Sequence, residues 1–320
     1  MNSRRTLGLD ILLTHGATMQ ETLFQDQKPR LLPTRTLWRL RRHNIYIGTS
    51  GYSYDDWEGE FYPWRTPKQQ MLEFYQHFFP TVELNYTYYH LPQPSALYKM
   101  RNKAPNMRFA VKAYRSLTNE RTRVYQEWQQ FGDAMRILDD AGQLATIVFQ
   151  FPLQFEKSDE HFNYLLELLD FFADFPITFE FRNASWITNA ILKYFQHRNI
   201  TIASIDAPAT RNAVSKAILP SDTFSVYRLL GRDASTLRFD ENSNPYSYRY
   251  SNDEIQQIAQ NVIRLWLRSG SVYVYANNNA GAASVETGIR LSEALLSLIE
   301  VDAVRPTARV QARTPQFARA

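Results

Sequence analysis

The sequence contains no cysteine among its 320 residues. This absence excludes disulfide bonds, thiolate metal sites and a cysteine nucleophile, and it fits the reducing environment of the cytoplasm. Long hydrophobic runs are lacking as well, because no stretch reaches the roughly 18 uninterrupted apolar residues that a membrane-spanning helix needs. We therefore expect a cytoplasmic protein without a membrane partner.

Several signatures of known chemistry are also missing. There is no G-x-S-x-G or G-x-G-x-x-G motif, and Gly48-Thr49-Ser50-Gly51 lacks the GK[ST] ending of a P-loop. Of the six histidines, only His90 follows a predicted strand, which does not favour a zinc site. The sequence identifies no cofactor and no metal site, although Mg²⁺ held by Glu83, Glu180 and Asp206 remains an alternative.

Positive charge is concentrated at the two ends of the chain. The formal net charge is +5 for residues 1–43, +3 for residues 301–320 and −4 for residues 44–300. Residues 1–43 show no sustained hydrophobic period, so we predict a mostly disordered basic arm with a short helix near Leu37–Arg41, and a basic tail after residue 300. Contacts between these ends and nucleic acid stay open as an alternative.

Eight short apolar strands are predicted, and each runs into polar residues. The predicted strand cores lie at 45–47, 81–85, 109–111, 147–149, 177–181, 202–205, 226–227 and 272–276. Helix-like stretches are predicted near 67–78, 94–103, 123–140, 158–173, 188–198, 212–219, 252–268 and 284–299. This alternation predicts a single (β/α)8 TIM-type barrel over residues 44–300, in which all strand ends meet at the face that carries the active site.

Polar side chains at the strand ends form the predicted site. Glu83 and Asn85 are two residues apart, as are Glu180 and Arg182, so each pair shares one face of its strand. A carboxylate beneath the helices would be costly, and we therefore place these side chains inside the barrel mouth. The predicted inward set is Glu83, Asn85, Lys112, Gln150, Glu180, Arg182, Asp206, Arg228, Asn277 and Asn278. Buried ion pairs without chemistry are the alternative interpretation.

The residue types in this set favour an enzyme that acts on a small polar or phosphorylated substrate by hydrolytic or acid–base chemistry. Glu180 is the predicted general acid or base, Arg182 orients it, and Glu83 and Asp206 are partner carboxylates. The predicted substrate-binding residues are Lys112, Arg182, Arg228, Asn85, Asn277, Asn278, Thr49, Ser50, Tyr52 and Trp57. The basic members would neutralise anionic charge, and the amides would position the ligand.

Two other functions stay open. A glycosidase would use Glu83 and Glu180 across the barrel mouth. A non-catalytic nucleic-acid or partner-binding barrel would use the aromatic loop of Tyr52, Tyr54 and Trp57, together with the arginine-rich ends. The alternative for this loop is that its aromatic side chains only pack it onto the barrel. The sequence leaves the choice between enzyme and binding protein, and the oligomeric state, undecided.

The strand-end motifs, in this order, resemble the DUF72 family, also called YecE-like. The segments that carry the resemblance are Ile47 to Tyr54, Val82 to Tyr89, Phe109 to Ala113, Phe149 to Pro152, Glu180 to Arg182, Asp206 to Pro208, Tyr227-Arg228 and Asn277-Asn278. It covers about residues 44–298 and implies a TIM barrel of unknown biochemical function. Leu230 and Asn119 stand where the family usually has histidine, and Tyr52 replaces a tryptophan. The resemblance thus implies a rim that lacks two imidazoles.

Overall fold

The structure is a computed structural model that describes residues 29–31, 36–209, 211–233 and 247–302. Its strands are β1 (Ile45–Thr49), β2 (Thr81–Leu84), β3 (Arg108–Lys112), β4 (Leu144–Phe151), β5 (Ile177–Phe181), β6 (Thr201–Ile202), β7 (Ser204–Asp206), β8 (Ser225–Leu229) and β9 (Val272–Ala276). The two short strands β6 and β7 are separated only by Ala203 and form one strand of the barrel. Every predicted strand is therefore present.

The helices are α1 (Thr36–Leu40), α2 (Lys68–Gln76), α3 (Tyr86–Tyr89), α4 (Pro94–Lys103), α5 (Tyr125–Asp139), α6 (Asp159–Phe171), α7 (Asn189–His197), α8 (Asn252–Ser269) and α9 (Ala283–Asp302). Helix α8 begins with a capping box, in which the Ser251 hydroxyl accepts the Glu254 N–H and the Glu254 carboxylate accepts the Ser251 N–H. The helix predicted over 212–219 is wrong. Asn212 and Lys216 both have positive φ angles of 63° and 49°, which a right-handed helix does not allow.

The strands close into a barrel. One parallel sheet has the order β1-β9-β8-β7 and the other the order β2-β3-β4-β5-β6. The continuous strand β6–β7 joins them on one side, and the bridge between Ser50 and Glu83 joins β1 to β2 on the other. A Cβ atom at Gly48 would lie 2.1 Å from the Thr81 carbonyl oxygen, so glycine is what permits this close approach. The predicted (β/α)8 fold is confirmed.

Side chains alternate between the barrel interior and the outer layer beneath the helices. The interior cluster consists of Tyr46, Ala110, Ala145, Val148, Ala203, Val226, Tyr273 and Tyr275. Since inward positions recur every second residue, Lys112 lies above Ala110, Gln150 above Val148 and Arg228 above Val226. Apolar side chains fill the interior below, so these three polar side chains lie at the carboxyl end of the barrel.

The short helix α1 packs onto the barrel next to α9 and β1. Leu37 and Leu40 are buried in the main hydrophobic core. The segment predicted as a basic arm over 1–43 therefore contains residues that belong to the core. Most of that arm, and the tail after residue 302, lie outside the described residues. Within the described part of the chain, no helix has the length and apolar content needed to cross a bilayer.

Candidate active site at the carboxyl end of the barrel

Arg228 is the centre of the site and is 1% exposed. Its Nε and Nη2 donate to the two oxygens of Glu83 at 2.8 and 2.6 Å, and its Nη1 donates to Glu180. The remaining donors face the Gln150 amide oxygen at 3.3 Å and the Ser50 hydroxyl at 3.5 Å. We call these five residues the arginine cluster. Buried charge is tolerated here because every donor of the guanidinium meets an acceptor.

Strand register explains how the arginine cluster forms. Gln150 of β4 pairs with Glu180 of β5, and Ser50 pairs with Glu83 across the closure of the barrel. Arg228 reaches both pairs from β8, which lies on the far side. Burial lowers the pKa of Arg228, but the two carboxylates outweigh this effect and raise it above the ordinary value.

Glu180 is fully buried and is an anion held by two cations. Besides Arg228, the Nε of Arg182 lies 2.6 Å from Glu180 Oε1. Burial alone would raise the pKa of Glu180, but Arg228 and Arg182 together lower it to about 2. A carboxylate with this pKa stays ionised at neutral pH, so Glu180 is not equipped to donate a proton there.

Lys112 extends from the end of β3 into the same mouth. Its Nζ lies 4.5 Å from the centroid of the Tyr88 ring. Among the described residues the ammonium donates no hydrogen bond and forms no ion pair within 4 Å. Burial and then the nearby Arg228 guanidinium lower the pKa of Lys112 to about 8. This amine therefore changes its protonation state close to neutral pH, unlike an ordinary lysine.

A cavity of ≈ 360 Å³ opens above the arginine cluster. Its lining comprises Tyr54, Asp56, Asn85, Tyr89, Lys112, Arg228, Asn277, Asn279 and Ala280. The Asn85 Oδ1 atom is buried and has no hydrogen-bond partner among the described residues. The lining thus combines the cationic groups of Lys112 and Arg228 and the carboxylate of Asp56 with amide and phenol groups.

Asp206 lies elsewhere. Its neighbour Ile205 pairs with Arg228 and so takes the inward position, which turns Asp206 to the outer face. There the carboxylate accepts two hydrogen bonds from Arg232, at 2.8 and 2.6 Å. Arg232 also contacts Glu254 of α8 at 3.1 Å. The structure therefore does not bring Asp206 together with Glu83 and Glu180.

Asn278 also faces away from the cavity. It is fully buried and donates to the Tyr248 carbonyl and the Thr287 hydroxyl. Asn277, two residues beyond the inward Tyr275, is the asparagine that lines the cavity. The alternation of strand residues separates the two side chains.

The loop residues have packing roles. Trp57 is fully buried and donates from its Nε1 to the Asn279 carbonyl at 2.7 Å. Thr49 exchanges hydrogen bonds with the Tyr75 hydroxyl inside the core. Tyr52 is partly buried and accepts at its carbonyl from the Tyr62 hydroxyl at 2.5 Å. These contacts fit the interpretation that the aromatic side chains pack the loop onto the barrel.

Sequence reasoning missed Arg232, Tyr88 and Asn279 as members of these clusters. Asn279 stands directly beside the predicted site residue Asn278, and this adjacency is a usable signal, whereas Tyr88 lies three residues after Asn85. Arg232 lies four residues after Arg228, beyond the end of its strand, and no local pattern connects it to Asp206. Among the described residues, no group of three side chains from histidine, cysteine, aspartate and glutamate is placed to hold a metal ion.

Comparison with known proteins gives consistent matches. The sequence model of "Protein of unknown function DUF72" matches residues 46–310. The UPF0759 protein YunF of Bacillus subtilis is 26% identical over 269 residues, which cover 78% of this chain and 94% of YunF. The crystal structure of a DUF72 family protein from Thermotoga maritima is 27% identical, with a TM-score of 0.72, and the match covers 79% of this chain and 99% of that one.

A second solved structure, a DUF72 family protein from Enterococcus faecalis, is 22% identical with a TM-score of 0.70. This match covers 79% of this chain and 95% of that one. At this identity the likeness concerns the fold alone.

Proposed function

Because this chain belongs to the DUF72 family of proteins of unknown function, we propose its function from its own geometry: it is an enzyme that performs acid–base chemistry on a small polar or anionic substrate in the cavity at the barrel mouth. The observation that carries this proposal is Lys112. It is a desolvated amine without a carboxylate partner, and it faces a cavity of ≈ 360 Å³. Desolvated titratable groups in a cleft are characteristic of catalytic sites.

Lys112 is the proton-exchanging group in this proposal. With a pKa of about 8, its protonated and neutral forms are both populated near neutral pH, which general acid–base catalysis requires. Glu180 takes a different role from the one predicted. Its pKa of about 2 makes it a weak base, so Glu180 holds Arg228 in place instead of transferring protons. Glu83 accepts two hydrogen bonds from the same guanidinium.

The charge at the mouth favours an anionic ligand. Among the described residues, Glu83 and Glu180 are balanced by Arg228 and Arg182. The protonated Lys112 has only the exposed Asp56 as a counter-charge on the cavity lining, and no ion pair joins the two. Arg182 remains 31% exposed and can add a bidentate contact to a phosphate or carboxylate. The amides of Asn85, Asn277 and Asn279 then position the uncharged part of the ligand.

The central residue of the aromatic loop does not support the nucleic-acid-binding alternative. Stacking on a base requires an exposed aromatic face, whereas Trp57 of the aromatic loop is fully buried. The glycosidase alternative requires a carboxylic acid that holds its proton near neutral pH, and the low pKa of Glu180 opposes this role.

A matched-ligand thermal-shift experiment tests the proposal. Glucose 6-phosphate and glucose are compared as ligands of the wild-type protein, Lys112→Met and the exposed control Lys157→Met. We expect stabilisation by the phosphorylated sugar alone, present in Lys157→Met and lost in Lys112→Met. A ligand at about 100 times its dissociation constant adds about 2.7 kcal/mol to the free energy of unfolding. The proposal would be contradicted if both sugars gave equal thermal shifts, or if Lys112→Met kept the wild-type shift with glucose 6-phosphate.

Turnover is measured next on each phosphorylated compound that binds. If Lys112 is the base, kcat/KM rises with pH up to about 8 and then levels off, because the neutral amine is the reactive form. A flat profile across this range would remove Lys112 from the chemistry.

A further inference from the structure

The Lys112 amine differs from other lysines of this chain in its surroundings. Lys68 forms an ion pair with Asp55 at 2.9 Å, and Lys103 forms one with Glu73 at 3.4 Å, both at the surface. In contrast, Lys112 has no carboxylate within ion-pair distance among the described residues, and its Nζ lies over the face of the Tyr88 ring. Within the part of the chain that the structure describes, no hydrogen-bond donor is placed to occupy the nitrogen lone pair once the proton has left.

We infer that Lys112 Nζ forms an imine with the carbonyl carbon of a small polyhydroxylated aldehyde or ketone that carries a phosphate or carboxylate group. This inference rests on the proposed function, because it uses the same cavity and the same anion-binding charges. It adds a covalent intermediate and a substrate class to that function.

The groups that surround Lys112 favour the neutral, nucleophilic amine. Arg228 from β8 and Arg182 from β5 repel the ammonium, whereas Glu83 from β2 and Glu180 from β5 attract it, and burial acts in the same direction as the arginines. A lysine that is desolvated or placed beside another cation is an activated nucleophile. At pH 7 about one in ten Lys112 amines is neutral, against about one in three thousand for an ordinary lysine.

The reaction balances without an oxidant or a reductant. The neutral amine attacks the carbonyl carbon, the carbonyl π electrons move to oxygen, and a proton passes from nitrogen to that oxygen to give a carbinolamine. The carbinolamine hydroxyl then takes up a proton and leaves as water while the nitrogen lone pair forms the C=N bond. Hydrolysis reverses the sequence. The imine nitrogen can keep a proton, since the Glu83 and Glu180 carboxylates lie close enough to interact with charge at this position.

The cavity fits a small polyhydroxylated anion. Its volume of ≈ 360 Å³ lies at the lower end of the roughly 300–1,000 Å³ that is usual for small-molecule sites. The unpartnered Asn85 Oδ1 can accept a hydrogen bond from a substrate hydroxyl, and Asn277 lies on the same wall. Arg182 does not line the cavity, but it is close enough to affect the Lys112 charge, and its 31% exposure leaves it available to an anionic group.

Reductive trapping tests the imine directly. Wild-type protein is incubated at pH 7 with glyceraldehyde 3-phosphate or with glyceraldehyde, reduced with cyanoborohydride, digested and analysed by peptide mass spectrometry. We expect the phosphorylated aldehyde to label the Lys112 peptide at least ten times more than the peptides of the exposed residues Lys99 and Lys157. We expect unphosphorylated glyceraldehyde to label all three weakly, and excess inorganic phosphate to protect Lys112.

Wild-type labelling does not depend on the folding of any variant, and two variants then extend the test. Lys112→Arg keeps the positive charge and removes the amine, so it should lose the label, while Lys157→Arg should keep the label at Lys112. Equal labelling of all lysines would overturn the imine. Stabilisation by glyceraldehyde 3-phosphate without selective trapping would also overturn the imine, but it would leave the acid–base function standing. Selective trapping unaffected by phosphate would overturn the assigned anionic substrate class.

Discussion

At the scale of single residues, Arg228 and Lys112 show that hydrogen-bond partners determine whether a cationic side chain keeps its proton. The five N–H donors of Arg228 all face acceptors, so this cation is fixed in charge and position. Lys112 is close enough to interact electrostatically with the same carboxylates. It has no direct hydrogen-bond partner among the described residues, and its pKa falls to about 8. Direct hydrogen bonds to acceptors are thus what distinguishes the permanently charged Arg228 from the titratable amine of Lys112.

Lys112 should make stability depend on pH. Its pKa is about 8 in the folded protein against an ordinary 10.5, so between these values the unfolded chain binds more protons and the free energy of unfolding rises with pH. The protonated amine destabilises the folded state below pH 8. We therefore expect Lys112→Met to be more favourable relative to wild type at pH 7 than at pH 10, as measured by urea unfolding.

Lys157→Met is the control, because Lys157 is exposed and its substitution should change the free energy of unfolding equally at both pH values. Tyrosine ionisation at high pH is common to all three proteins and cancels in the comparison. A difference between Lys112→Met and wild type that is constant from pH 7 to pH 10 would show that the amine is not perturbed.

At the scale of elements, Asp206 connects the outer face of β7 to helix α8. Arg232 bridges the Asp206 carboxylate and Glu254, and Glu254 itself belongs to the capping box of α8. The Tyr250 hydroxyl also donates to Asp206 at 3.3 Å. This cluster lies outside the barrel mouth and stabilises the position of α8 against the strands.

Arg232→Met should destabilise the fold by about 3 kcal/mol, because it leaves the Asp206 carboxylate buried without its cation. This value is at the low end of the range for breaking a buried ion pair, because the Tyr250 hydroxyl still donates a hydrogen bond to Asp206. Arg136→Met is the matched control. Arg136 contacts Asp174 at the same 2.6 Å, but both side chains are at least half exposed, so the expected cost is only about 0–1 kcal/mol. Chemical unfolding measures both, and equal costs would refute the structural role of the cluster.

At the scale of the whole molecule, the segment before β1 contributes to the core. Leu37 is 1% exposed and Leu40 is 0% exposed, and α1 lies against α9 near the end of the described chain. A sequence-derived domain boundary at residue 44 separates these leucines from the core in which they are buried.

Comparing deletion of residues 1–35 with deletion of residues 1–43 isolates α1 and the turn that follows it. The longer deletion removes two buried leucines and should lower the free energy of unfolding by at least about 3 kcal/mol relative to the shorter one, since one buried leucine truncated to alanine costs about 2–5 kcal/mol. Thermal and urea unfolding measure the difference. Equal stability of the two deletions would show that α1 does not contribute to the fold. Leu40→Ala in the full chain provides a check that does not alter chain length.

The strand ends could be predicted because each apolar run stops at a polar residue. Alternation along a strand then assigned Glu83 and Glu180 correctly to the interior, where Arg228 meets both. The same rule failed at Asp206, because both faces of the strand from 201 to 206 carry mixed residues. Only the pairing of Ile205 with Arg228 decides which face is inward.

Local periodicity and composition are sufficient to predict the order of strands and helices, the barrel and the polar character of its mouth. Which polar side chains meet depends on how distant segments of the chain fold together. Arg228 joins Glu83 and Glu180 across 145 and 48 residues of chain, and local pattern carries no information on contacts at such separations. The pKa of Lys112 and the outward position of Asp206 follow from those contacts, because electrostatic effects and strand register depend on neighbours in space.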